Sequence, residues 1–178
     1  VLPGFIDAHT HIGIYEEIYR IEGDDTNETS DPITPHLRAL DAVNMEDMAF
    51  ADVLQGGVTT VMTGPGSANV IGGLSVVMKT CAKTADAAVI KNPAGLKVGL
   101  GENPKRVYGN RKKTPTTRMA TAALLRETLV AAQNYAAKTK KGEKDPDKQP
   151  DRDLKLEAML PVISGKIPLL IHAHRVDD

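Results

Sequence analysis

At 178 residues, with 41% apolar side chains and a formal charge of -1, the chain can build one ordinary core and has no electrostatic bias toward DNA or a membrane surface. Aromatic residues make up only 3% and tryptophan is absent, which argues against a base-stacking platform or an aromatic-caged sugar site. The single cysteine, Cys81, excludes an intramolecular disulfide and reads as a small buried apolar residue of a reducing, cytoplasmic protein.

No stretch approaches the roughly 18 apolar residues needed to span a bilayer. Pro3 and Gly4 interrupt the N-terminal apolar run, so a signal peptide is not expected. The chain starts without Met, and both ends lie inside patterned sequence, which predicts a piece of a longer protein.

In chain order, residues 2–12 predict a first strand and its exit, carrying Asp7-Ala8-His9-Thr10-His11. Side chains two apart on a strand share a face, so His9 and His11 project together while Thr10 turns away. Two imidazoles side by side can share one metal ion. Asp7 either orients a ligand histidine or satisfies nearby backbone groups.

Residues 15–35 are rich in Glu and Asp with turn formers Gly23, Asn27 and Pro32, and predict a long, acidic, mobile loop. A solvated loop is preferred over a lid across the site. His36, at an expected helix start, reads as structural.

Met45, Met48, Ala49 and Val53 fall at helical spacing over 45–55, with Asn44 as N-cap and Gly56-Gly57 as the stop. Val58–Thr63 is a β-branched strand closed by Gly64-Pro65-Gly66. Strand, helix, strand implies a crossover and a parallel sheet. Strand-like runs follow at 74–79, 87–91 and 96–100, the first two joined by a polar turn around Asp86. Residues 120–140 predict a long helix started near Thr116-Thr117, and 140–153 a flexible charged linker. A short helix over 154–163 and a buried strand over 167–172 complete the chain.

Alternating strands and helices predict an α/β fold, specifically a partial (β/α)8 TIM-like barrel forming one domain over 1–178. A full barrel takes about 250 residues, so roughly strands 1–5 fit. Such barrels place their chemistry at strand C-terminal ends. His9, His11, Glu102 and His172 all fall there.

The segments PGFIDAHTHIG, GVTTV, GLKVGLGENPKRVYG and IPLLIHAHRVDD resemble the amidohydrolase superfamily, most closely its imidazolonepropionase-related branch, and the resemblance runs nearly end to end. It implies a metal-dependent hydrolase of amide or other non-peptide C–N bonds in a small cyclic or acylated substrate, with metal-bound hydroxide as nucleophile. One or two divalent ions are implied, zinc first, with iron, manganese or nickel as alternatives. His9 and His11 match the first-strand ligands and His172 the fifth-strand ligand, with His174 a further candidate at the strand exit. Glu102 is preferred as the group bridging the metals, and a carboxylated Lys97 is the alternative. Arg106, Tyr108 and Arg175 are candidates for an anionic substrate group, though each also suits an ordinary surface position.

The family's sixth-strand histidine and eighth-strand catalytic aspartate have no counterpart before Asp178, so the fragment alone is expected to be inactive. Its open strand edge makes homo-oligomerisation an expectation. A non-catalytic scaffold is the rival reading, and a deaminase or dipeptidase is the rival within the enzyme class. The expected partner is a small-molecule substrate rather than nucleic acid or membrane.

Overall fold

The computed structural model describes residues 1–18 and 20–178; Tyr19, within the expected acidic loop, lies outside them. Five strands form one sheet in sequence order: β1 (Phe5–Thr10), β2 (Val58–Thr63), β3 (Ile71–Lys79), β4 (Val89–Gly99) and β5 (Leu169–His172). The sheet curls, because side chains from β1 and β4 meet across its concave face although β2 and β3 lie between them.

β1 pairs parallel to β2 across helix α1 (Met48–Gln55), as the strand–helix–strand pattern implies. β4 pairs parallel to β5 across α3 (Glu102–Asn110), α4 (Arg118–Gly142) and α5 (Leu154–Ile163). The expected all-parallel order fails in the middle, where β3 runs antiparallel to both neighbours. The reason is connection length. A parallel crossover takes about a dozen residues or more, whereas β2 reaches β3 through the short Gly64–Val70 loop and β3 reaches β4 through the single-turn helix α2 (Ala85–Ala88).

Several boundaries also move. The expected strands at 87–91 and 96–100 are one strand, β4, continuous through Pro93. The cap of α1 is Asp47, whose side chain accepts from Ala49 N–H, and Asn44 instead accepts from Glu46 N–H. The helix therefore starts three residues later than the apolar spacing predicts. Thr117 caps α4 as expected, and the helix runs on to Gly142, which is buried against Gln149. The start of the charged segment 140–153 thus folds onto α4. Cys81 is exposed rather than buried.

One core lies between the sheet and α1, where Phe50 packs with Ile12, Ile14, Val61, Val76 and Met78. The other lies between the sheet and α4 and α5, around Ile71, Leu96, Val98, Ala132 and Met159. Burying a side chain such as Phe50 contributes about 2–3 kcal/mol, enough to fix the α1 face against β2. β1 lacks such cover: Phe5 is 63% and Ile6 72% exposed.

The acidic loop is bound to the sheet rather than free. Thr34 N–H donates to Ile71 O, Gly66 N–H to Thr26 O, and Ala68 N–H to Asn27 Oδ1. Tyr108 is fully buried and donates to Asn69 Oδ1, while Asn69 Nδ2 donates to Glu28 O and Thr34 Oγ1. Among the described residues, no helix is long and apolar enough to cross a membrane.

Candidate metal centre

β1, β2, β4 and β5 point the same way, so the ends that carry His9, Gly64, Lys97 and His172 gather at one end of the curled sheet. A cavity of about 200 Å³ opens there, lined by His9, His11, Gly64, Ser75, Lys97 and Leu170 among others. The His9 and His11 rings stand edge to face with centroids 5.7 Å apart. His11 lies just past the end of β1, and the intervening Thr10, expected to turn away, lines the same cavity, so the two rings meet at an irregular strand exit and not through plain strand alternation.

Each imidazole is held by a different group. His11 Nδ1 donates to the Gly64 carbonyl at 2.7 Å. A carbonyl can only accept, so the neutral His11 ring carries its proton on Nδ1 and leaves Nε2 with a lone pair. His9 Nε2 lies 3.4 Å from Lys97 Nζ. The Lys97 charge, burial and the neighbouring His11 together lower the His9 pKa. Burial likewise lowers Lys97, which is 5% exposed. His172 is lowered by burial first and then by Lys97. At His9, His172 and Lys97 the shift is thus toward easier loss of the proton.

Lys97 is therefore the candidate bridging group that lies beside the histidine pair. Glu102 sits in the first turn of α3 with its side chain 55% exposed, 3.3 Å from His174 Nδ1, and it does not line the cavity. The shift has a simple origin: Glu102 follows the left-handed Gly101 (φ 68°), where β4 has ended and the chain turns into a helix. Lys97, two residues before the strand end, shares the face of Gly99, which pairs with His172.

The remaining candidates are engaged elsewhere. Asp7 accepts from His9 N–H, the backbone alternative. Arg175 grips Asp177 with Nε and Nη2, at 2.8 and 3.0 Å. Arg106 donates to Asn103 Oδ1. Tyr108 is buried under the acidic loop, where burial raises its pKa. His174 contacts His172 and Glu102 outside the cavity. Gly64, Ser67 and Asn103 were not foreseen as part of the site; the only sequence signal for them was their place in loops just after predicted strands.

Among the described residues, no group of three or more His, Cys, Asp or Glu side chains could hold an ion by itself. The donor set is two imidazoles beside an amine, with a third imidazole on β5. It fits a divalent ion provided that Lys97 supplies oxygen ligands, which a lysine amine acquires by carboxylation.

No protein-family model matches the chain. The amidohydrolase tasK of Hapsidospora irregularis is 30% identical over 194 residues, an alignment covering 98% of this chain and 20% of that protein. An amidohydrolase from Thermotoga maritima MSB8, known from its crystal structure, is 47% identical with a TM-score of 0.95, over 99% of this chain and 46% of that one. Both relatives are named amidohydrolases. The chain is homologous to a segment of each and has the fold of that segment in the Thermotoga amidohydrolase. It spans less than half the length of either.

Proposed function

We propose that the chain is the metal-binding N-terminal part of a TIM-barrel amidohydrolase. In this reading the full-length protein hydrolyses an amide or other non-peptide C–N bond of a small cyclic or acylated substrate. The convergence of His9, His11 and Lys97 on one cavity at the strand ends carries this reading. The two amidohydrolase relatives support the reaction class. The imidazolonepropionase-related branch and a cytoplasmic location are parts of the same proposal, resting on the motifs and the lone Cys81.

His9, His11, Lys97 and His172 would hold one or two divalent ions, zinc first. Such an ion lowers the pKa of a water ligand and polarises the scissile carbonyl. Lys97 would take part as its carbamate: the neutral Nζ lone pair attacks the carbon of CO2, the N–C bond forms as one C=O π bond breaks and its electron pair moves onto oxygen, and one Nζ proton leaves to solvent. Burial favours the neutral amine this requires. Gly64 O fixes the His11 tautomer. Leu170 forms part of one wall of the cavity.

The test uses a polypeptide of the relatives' length and measures metal content together with hydrolysis of a panel of small amides. The expected result is about one or two ions per chain and activity on one member. Wild-type metal content and activity in the His9→Ala, His11→Ala double variant would defeat the reading.

A further inference from the structure

β1 does not deliver His11 by its own periodicity. From Asp7 to Thr10 it takes three steps, while its partner β2 takes two from Val61 to Thr63, and the extra residue breaks the alternation of side chains. His11 then lies past the strand end. Two consecutive residues of the neighbouring strand exit grip the turn instead. Thr63, the last residue of β2, is fully buried, and its hydroxyl donates to Ile12 O at 2.8 Å. Gly64 follows it. The Gly64 carbonyl accepts from His11 Nδ1 at 2.7 Å, and its N–H donates to Thr10 O at 3.3 Å. The N–H of Ile12 donates to Thr10 Oγ1 at 3.0 Å. Both polar backbone groups of the residue after His11 are therefore held by threonine hydroxyls, one from each strand.

We propose that Thr63 is a positioning residue for His11: through Ile12 it fixes the turn that presents the imidazole to the Gly64 carbonyl and the cavity. Its bearing on metal binding rests on His11 being a ligand, as proposed above; its bearing on where the ring sits does not. The alternative is a buried threonine that only completes the hydrogen bonding of its strand. The same chain supplies the comparison. Thr80 is also buried, and its hydroxyl donates at 2.9 Å to the carbonyl of Val58, the first residue of β2. The two bonds match in donor, acceptor and length, but only the Thr63 bond adjoins the His11 turn.

The test uses the chelator-treated chain. Thr63→Val keeps the shape of the side chain and removes the donor. It should weaken the NMR cross-peaks between the His11 ring protons and the Gly64 α-protons. In equilibrium dialysis it should lower zinc affinity about ten-fold, the low end for residues that orient a ligand. Thr80→Val loses a matching hydrogen bond and should lower the urea midpoint by a similar amount, with cross-peaks and zinc affinity unchanged. Thr63→Ser retains the hydroxyl and should restore both readouts. If Thr63→Val does not fold, Thr10→Val removes the other hydroxyl on Ile12 and should move both readouts in the same direction. Wild-type cross-peaks in every valine variant of the turn that folds overturn the proposal. So does an equal loss of zinc affinity in Thr80→Val, or no recovery in Thr63→Ser. Cross-peaks that depend on Thr63 in a chain that binds no zinc would sink the ligand assignment and leave the role of Thr63 standing.

Discussion

Lys97 Nζ approaches Nε2 of His9 to 3.4 Å, although β2 and β3 separate their strands in the sheet. Only a curled sheet permits that contact, and it joins residues 88 positions apart in the chain. Lys97 is the leading cause of the lowered His9 pKa but only the second cause at His172, where burial comes first. Lys97→Met keeps the length of the side chain and removes its charge. The His9 pKa should then rise toward its ordinary 6.5, and that of His172 should rise by less. Titration of the histidine ring protons by NMR in metal-free protein checks this order. A larger movement at His172 than at His9 would contradict the geometry. The fold should tolerate the change, because an apolar group of similar shape does not carry the desolvation cost of a buried ammonium.

His9, His11 and His172 are expected from the sequence, with Lys97 as the second choice after Glu102; the structure places Lys97, and not Glu102, on the cavity beside His9 and His11. The three histidines are legible because residue spacing and position relative to glycine-rich exits are local properties. The choice between Glu102 and Lys97 is not local. It depends on where β4 stops, and continuous pairing with β3 carries that strand through Pro93 to Gly99. The antiparallel β3 escaped notice for a related reason. Apolar runs do not encode strand direction; only the brevity of the Gly64–Val70 and Ala85–Ala88 connections does, and both look like ordinary turns. Asn103 was hidden as well, since its neighbours Ser67 and His172 come from two other loops or strands.

Tyr108 separates a structural role from a substrate role. Its hydroxyl donates to Asn69 Oδ1 at 2.7 Å in a fully buried setting, and Asn69 in turn ties down Glu28 and Thr34. Tyr108→Phe leaves that amide oxygen buried without its donor, a loss of about 1–3 kcal/mol. Urea denaturation should show a lower midpoint, and amide exchange should quicken around Thr34 and Ile71. In a polypeptide of the relatives' length, the KM of the proposed hydrolysis should not change. A raised KM at unchanged stability would return Tyr108 to the substrate site.

The ion pair of Lys155 and Asp31 is the tether between α5 and the acidic loop, with Nζ and Oδ2 2.6 Å apart. Burial pushes the Asp31 pKa up, but the Lys155 hydrogen bond and Ile33 N–H outweigh it and hold the carboxyl below 3.8. A carboxyl whose folded pKa is depressed contributes stability at pH values above its unfolded pKa and loses it as pH falls through the folded value. Both side chains are 42% exposed, so the contribution is small, at most about 1 kcal/mol at neutral pH and less in high salt. Lys155→Met should therefore lower the urea midpoint slightly at pH 7, and the difference from wild type should shrink as pH falls below about 4. A deficit that grows on acidification would reverse the sign of the argument.

Gly64 links packing to the site. Its carbonyl accepts the hydrogen bond from His11 Nδ1–H, and its α-carbon lies so close to β3 that an added Cβ would stand 2.0 Å from Ser75 Oγ and 2.7 Å from Ser75 Cβ. Ser75 is only 2% exposed, and its Cβ is fixed to the strand, so rotating the hydroxyl cannot relieve the clash. Gly64→Ala must push the β2 exit away from β3 and carry the carbonyl off His11. The expected cost is about 1–3 kcal/mol of stability, typical of overpacking, together with loss of the single His11 tautomer. Ser75→Gly in the same chain removes the obstructing atoms and should restore the His11 signal more fully than it restores stability, because it adds a flexible glycine to a buried strand. Histidine 15N spectra and urea midpoints of the two single variants and the double variant check both halves. If Gly64→Ala lost stability while His11 stayed protonated on Nδ1 alone, the Gly64 carbonyl would not be what selects that tautomer.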